Sequence, residues 1–128
     1  MSSEKKYENV IKGKLQAKLW WVRKLHGNLY QEGLPDLLLS RHSDGELILM
    51  ELKGNNNEEK LVYLQIEVIE LLKGPQTGNF LILCKMQTKI CLVLGTPVGY
   101  FMVKPPIEPK GKLYAMTSDE LLKELAAW

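Results

Sequence analysis

Asp36, Glu51 and Lys53 are the side chains whose types and spacing could do chemistry together. Asp36 opens the apolar run Leu37-Leu38-Leu39, and Glu51-Leu52-Lys53 closes the run Leu47-Ile48-Leu49-Met50. Two carboxylates brought to one place repel each other, and a bound cation or a shared proton is the usual remedy. Magnesium (or manganese in its place) suits such a pair, because it takes oxygen ligands, keeps several waters and is commonly held by one or two carboxylates together with a substrate phosphate. An ammonium two residues from a ligand can orient water or offset charge developing on that phosphate. The chemistry implied is hydrolysis of a phosphodiester.

That chemistry requires a hairpin. Ser43-Asp44-Gly45 lies between the two apolar runs, and an Asp-Gly step in that setting is a strong signal for a tight turn. With Asp44 and Gly45 as the two central residues, Asp36 falls opposite Lys53 and Leu38 opposite Glu51. Residues two apart share a face, so Asp36, Glu51 and Lys53 converge on one side. The plainer alternative makes Asp36 a strand start and the other two outward-pointing charges. Against it stands the nearly unbroken apolar run at 47–52, since a sheet covered on both faces leaves Glu51 poorly solvated without a ligand or partner.

Several elements must position this hairpin. Tyr7, Val10 or Ile11, Leu15 and Leu19 recur at helical spacing and predict an amphipathic helix over residues 3–19, with Gly13 weakening its centre. Residues 20–25 read as a strand ended by His26-Gly27-Asn28, so that three antiparallel strands form a meander. Asn55-Asn56-Asn57 with Glu58 and Glu59 predicts a second helix to about Lys73, with Gln65 inside its apolar stripe Leu61, Leu64, Val68, Ile69 and Leu72. The continuous apolar run at 80–84 predicts the central strand, beside a parallel neighbour. Further strands follow at 89–94 and 100–103, then an irregular connector at Pro105, Pro106 and Pro109. Thr117-Ser118-Asp119-Glu120 is a capping box that opens a last helix.

The 128 residues suit one domain, 1–128, and the content, 45% hydrophobic and 25% charged, is that of an ordinary globular protein. No run is long and apolar enough to span a membrane, and the amino-terminal residues lack the apolar core of a secretory signal, which predicts a cytoplasmic chain. Cys84 and Cys91 read as buried free thiols, and neither they nor His26 and His42 form a zinc pattern. The net charge of +2 hides an asymmetry. Residues 1–31 hold Lys5, Lys6, Lys12, Lys14, Lys18, Arg23 and Lys24 against Glu4 and Glu8, so the basic character belongs to the first quarter and would attract phosphates.

Pro35-Asp36 followed by Glu51-Leu52-Lys53 resembles the signature of the PD-(D/E)XK nuclease superfamily, and the element order resembles its core as well. The resemblance implies an α/β restriction-endonuclease-like fold: helix, three-stranded antiparallel meander, helix and strand over about residues 4–85, with a β/α carboxyl-terminal extension over about 86–128. Within the superfamily the sequence is similar to the VRR-NUC group, related to Holliday-junction resolvases, through Gly33-Leu34-Pro35-Asp36-Leu37-Leu38, Glu51-Leu52-Lys53-Gly54 and Gln65. The resemblance implies that Asp36, Glu51 and the Leu52 carbonyl bind the metal, that Lys53 positions the attacking water and that Gln65 supports the site. It also implies an acid from the first helix, Glu8 or alternatively Glu4. The expected protein is then a metal-dependent endonuclease for branched or structured DNA, acting as a homodimer, with Lys5, Lys12, Lys14, Lys18, Arg23 and Lys24 along the DNA backbone. The alternatives are a monomeric nickase or flap nuclease, and a non-catalytic DNA-binding or assembly module on the same fold.

Overall fold

The computed structural model describes residues 3–25, 35–54, 63–65, 89–104 and 112–128. Its elements in chain order are α1 (Ser3–Ala17), β1 (Trp21–Lys24), β2 (Leu37–Ser40), β3 (Leu47–Gly54), β4 (Tyr63–Gln65), β5 (Ile90–Thr96), β6 (Gly99–Val103), β7 (Lys112–Tyr114) and α2 (Ser118–Ala127). The main sheet runs β1-β2-β3-β5-β6, and β4 pairs with β7 in a separate two-stranded sheet. β1, β2 and β3 form the expected antiparallel meander, while β5 runs parallel to β3 and turns back antiparallel into β6.

Alternation along these strands sorts the sheet into two faces. Leu37, Leu39, Ile48, Met50, Leu52, Cys91, Val93, Tyr100 and Met102 point to one face, where Tyr7, Ile11 and Leu15 of α1 and Leu121, Leu122 and Leu125 of α2 close the core over them. Gly95 fixes how near α1 can come, because a Cβ there would lie 2.3 Å from the Tyr7 ring, and Tyr7 meets Tyr100 edge to face at 6.0 Å. Gly13, by contrast, is exposed with open space around it, so nothing packs against the helix at that point.

α1 stops two residues earlier than the periodicity predicts. The Trp20 amide donates to the Leu15 carbonyl at 3.1 Å and the Leu19 amide to the Gln16 carbonyl at 3.0 Å, with Leu19 at φ 67°. This pairing is a Schellman cap, and Leu15 and Trp20 supply its apolar contact from inside the core. At the other end of the chain the capping box forms as expected. The Glu120 amide donates to Thr117 Oγ1 at 3.1 Å, and the Thr117 amide donates to Glu120 Oε1 at 3.0 Å.

Three expectations need correction. The hairpin register is shifted by two, with Leu37 opposite Met50 and Leu38 opposite Leu49 rather than Glu51. The cause lies in the turn: residues 42–45 form a four-residue loop between Arg41 and Glu46, with Gly45 at φ 74°, instead of a two-residue turn. Asp44 Oδ1 accepts from the Glu46 amide at 3.0 Å while its carboxylate grips Arg41, which favours the wider loop. Because the shift is even, the faces are preserved.

The second correction concerns the parallel neighbour of β3. Among the described residues it is β5, expected only as a further strand after the central one at 80–84, and β2 lies on the other side of β3. Both runs are continuously apolar, and periodicity cannot say which one pairs. Third, Tyr63-Leu64-Gln65, expected within a helix, is the strand β4, laddered to β7. The β-branched and aromatic residues Val62, Tyr63 and Ile66 in this stretch of sequence suit an extended chain when a partner strand is supplied, so pairing overrides the helical spacing. β7 itself falls where an irregular connector was expected. The rest of the helix expected to end near Lys73, the strand at 80–84 with Cys84, His26 and the three prolines of the connector lie outside the described residues. No described helix is long and apolar enough to cross a membrane.

Candidate active site

The face of the sheet away from α1 carries the polar cluster. Glu51 and Lys53 alternate with the core-facing Met50 and Leu52, and β5 places Leu92 and Leu94 beside them. Continuing the observed pairing by one residue sets Asp36 opposite Glu51. Pro35 and Asp36 precede β2, and Asp36 is bound at both ends: its carbonyl accepts from the Leu25 amide at 2.8 Å and its Oδ2 accepts from the Leu52 amide at 2.8 Å. The side-chain bond ties the acid to the backbone between Glu51 and Lys53, which locks the two strands at the point where the acids meet.

Glu51 is only 3% exposed. The Lys53 ammonium lies 3.5 Å from Glu51 Oε1, beyond hydrogen-bonding length, and Oε1 accepts no hydrogen bond among the described residues. Burial pushes the Glu51 carboxyl up to about 8, with the nearby Asp36 adding to the rise and Lys53 offsetting part of it. A buried carboxylate whose Oε1 accepts no hydrogen bond among the described residues, with a second acid beside it, offers oxygen donors of the kind a hard divalent cation takes, and the lysine flanks them. The Leu52 carbonyl lies on the same strand between the two charged side chains.

Glu8 is placed elsewhere. It is 5% exposed on α1, and Lys24 Nζ donates to its Oε2 at 3.1 Å. Lys24 pairs with Leu37 across β1 and β2, so this ion pair belongs to the helix-covered side. Among the described residues no three acid, histidine or cysteine side chains form a metal-holding group. Glu4 lies in the first turn of α1. Gln65 stands on β4, in register with Lys112 of the second sheet, and so does not approach from a helix.

The basic residues divide in the same way. Lys24 is engaged by Glu8, and Lys14 by Asp119 at 3.1 Å. Lys5, Lys18 and Arg23 are exposed and Lys12 is half-buried; the Arg23 guanidinium lies 5.8 Å from the Trp21 ring centroid. Two features were not read from the sequence. Arg41 is buried and donates to the Leu125 and Trp128 carbonyls at the end of α2, where Lys89 also donates to Trp128 at 3.1 Å. Trp21 is half-exposed on the same face as the acids, which the alternation Trp21-Val22-Arg23 could have indicated.

No family model matches the sequence, and no curated protein matches it. The structure is similar to that of Hjc from Archaeoglobus fulgidus, a Holliday junction resolvase from an archaeal hyperthermophile, with a TM-score of 0.53 and 13% identity over 95% of this chain and 98% of that one. The class this defines is one of architecture, a restriction-endonuclease-like α/β fold. At this identity the likeness concerns the fold.

Proposed function

We propose that the protein is a metal-dependent endonuclease that hydrolyses phosphodiester bonds in branched or structured DNA, a resolvase-like enzyme of the VRR-NUC group acting as a homodimer. The observation that carries the reading is the buried Glu51 carboxylate, with an oxygen that accepts no hydrogen bond among the described residues, beside Asp36 and Lys53 on a resolvase-like fold. Asp36, Glu51 and the Leu52 carbonyl would hold magnesium or manganese. When bound, the ion would neutralise the two acids and polarise the scissile phosphate.

The chain's own residues do the rest. The Leu52 amide holds Asp36 in one rotamer, and the buried strand β3 fixes Glu51, so the donors are set before the substrate arrives. Lys53 orients the attacking water toward phosphorus and offsets the negative charge that builds on the phosphate as the leaving oxygen departs. For Glu8 to join the site it would have to exchange Lys24 for the metal. Gln65 would support the site from β4. The exposed cations Lys5, Lys18 and Arg23, with Lys12, would receive the DNA backbone, and Lys14 and Lys24 would do so after giving up their acidic partners.

The test is cleavage of labelled four-way junction, flap, nicked and linear duplex DNA with magnesium, manganese or EDTA, beside Lys53→Ala. Symmetric junction cutting with either ion, lost in the variant, is the expected result. Cutting of flaps or nicks alone by a protein of monomer mass would replace resolution with the nickase. A second reading, a DNA-binding module without catalysis, is favoured by the meeting of only two acids among the described residues. Junction binding with no cutting under any ion would select it.

A further inference from the structure

The sheet face that carries the acids continues past them in cross-strand rows. The register puts Leu25, Asp36 and Glu51 in one row, Arg23, Leu38 and Leu49 in the next, and Trp21, Ser40 and Leu47 in a third. The surface opens along this path. Glu51 is buried, Leu38 and Leu49 are half-buried and Arg23 is exposed, while Trp21 and Leu47 are 49% and 57% exposed. Among the described strands β1 is the edge of the main sheet, so the indole and the guanidinium beside it stand at its rim.

The composition of this rim selects an occupant. A flat indole offers a π face to a base, and an arginine stacked on it adds a cation that suits both a base face and a phosphate. The same quarter of the chain carries the basic excess, which complements a phosphate backbone. Bases inside an intact duplex are already stacked on both sides and gain nothing from the ring, whereas an unpaired base has a free face. Trp21 lies four residues from the row of the acids, about 13 Å along the strand, or about four nucleotides at a B-form rise of 3.4 Å.

We propose that Trp21, with Arg23, is a stacking platform for an unpaired nucleotide of the DNA substrate, so that the site takes DNA whose strand leaves the duplex within a few nucleotides of the scissile phosphate. The proposal rests on the nuclease reading for its orientation toward the acids, but its test does not need cutting. Binding of the full chain to fluorescein-labelled oligo-dT, four-way junction and blunt duplex is measured in EDTA, for the parent, Trp21→Ala and Trp21→Phe. Trp21→Ala is expected to weaken oligo-dT and junction binding about 5- to 100-fold and leave duplex binding within about twofold. Trp21→Phe, which keeps an aromatic face, is expected to restore most of the loss. Equal affinity of parent and Trp21→Ala for oligo-dT would overturn the proposal, as would an equal loss on duplex. So would a dimer that falls apart only in Trp21→Ala, since the ring would then serve a second copy of the chain. Trp21-dependent oligo-dT binding by a protein that cuts nothing would leave the platform standing and remove the nuclease reading. Junction cutting by a protein whose oligo-dT affinity ignores Trp21 would do the reverse.

Discussion

The two ends of the β2–β3 hairpin each hold a carboxylate and a cation, yet they are built in opposite ways. At the turn, Asp44 accepts from Arg41 Nε at 2.9 Å, from Arg41 Nη2 at 2.7 Å and from the Glu46 amide at 3.0 Å, and these bonds hold its carboxyl well below the usual range. At the far end Glu51 is buried, its Oε1 accepts no hydrogen bond among the described residues, and its carboxyl is pushed up. The turn end is saturated and serves the fold, tying the loop to the end of α2 through Arg41. The site end is unsaturated, which marks it as the candidate functional end of the hairpin.

The largest effect that separates the two ends is on cleavage. Lys53→Ala and Glu51→Gln are each expected to lower the junction-cutting rate by at least about 100-fold, while Arg41→Ala leaves the rate per folded molecule near that of the parent, as read in single-turnover assays. Near-parental cutting by Lys53→Ala would break the comparison at its functional end. Stability is expected to reverse the ranking. Arg41→Ala should lower Tm by several degrees, because it strips Asp44 of its partner and removes the side-chain donor to the Leu125 carbonyl, while the Trp128 carbonyl keeps Lys89.

The two ends also differ in the sign of their pH dependence. The folded-state pKa of Glu51 lies above the unfolded value, so its contribution to stability is complete below about pH 4.5 and is lost as the pH rises toward 8. Metal-free protein should therefore lose up to about 1.4 kcal/mol of stability per pH unit in that window, and Glu51→Gln should flatten the slope. The folded-state pKa of Asp44 is depressed, so its contribution is present above its unfolded value near 3.8 and disappears only as the pH falls below it. Asp44→Asn should lower stability by a constant amount above pH 5, with the difference from the parent closing as the pH falls below about 3.8. Urea titrations across pH read both effects.

The smallest effect lies away from both ends. Leu19 is 71% exposed and holds the left-handed position of the α1 cap, so Leu19→Gly should stabilise by about 1 kcal/mol without changing either pH limb.

Much of this was legible in the chain. Alternation placed Asp36, Glu51 and Lys53 on one face, and that survives because a shift of two residues preserves parity. The capping box at Thr117, the meander and α1 follow from local chemistry alone. The register did not, because it depends on Asp44 choosing Arg41 and the Glu46 amide, a competition between side-chain bonds that an Asp-Gly pair does not reveal. The parallel partner of β3 was equally hidden, since two apolar runs of similar length offer the same pattern. β4 shows a third limit: Leu61, Leu64 and Val68 are spaced for a helix, but Tyr63–Gln65 pairs with a strand 49 residues away, counted from Leu64 to its partner Leu113. The Glu8–Lys24 pair is a contact between a helix and an edge strand, and no local spacing encodes it.

The most direct test of the central claim, that the unsaturated end is a divalent-metal site, is a calorimetric titration of manganese into metal-free protein at pH 8. Parent, Glu51→Gln and Arg41→Ala are compared. Saturable binding by the parent and by folded Arg41→Ala, abolished in Glu51→Gln, is the predicted result. Binding of equal strength in Glu51→Gln, or none in the parent, would contradict it.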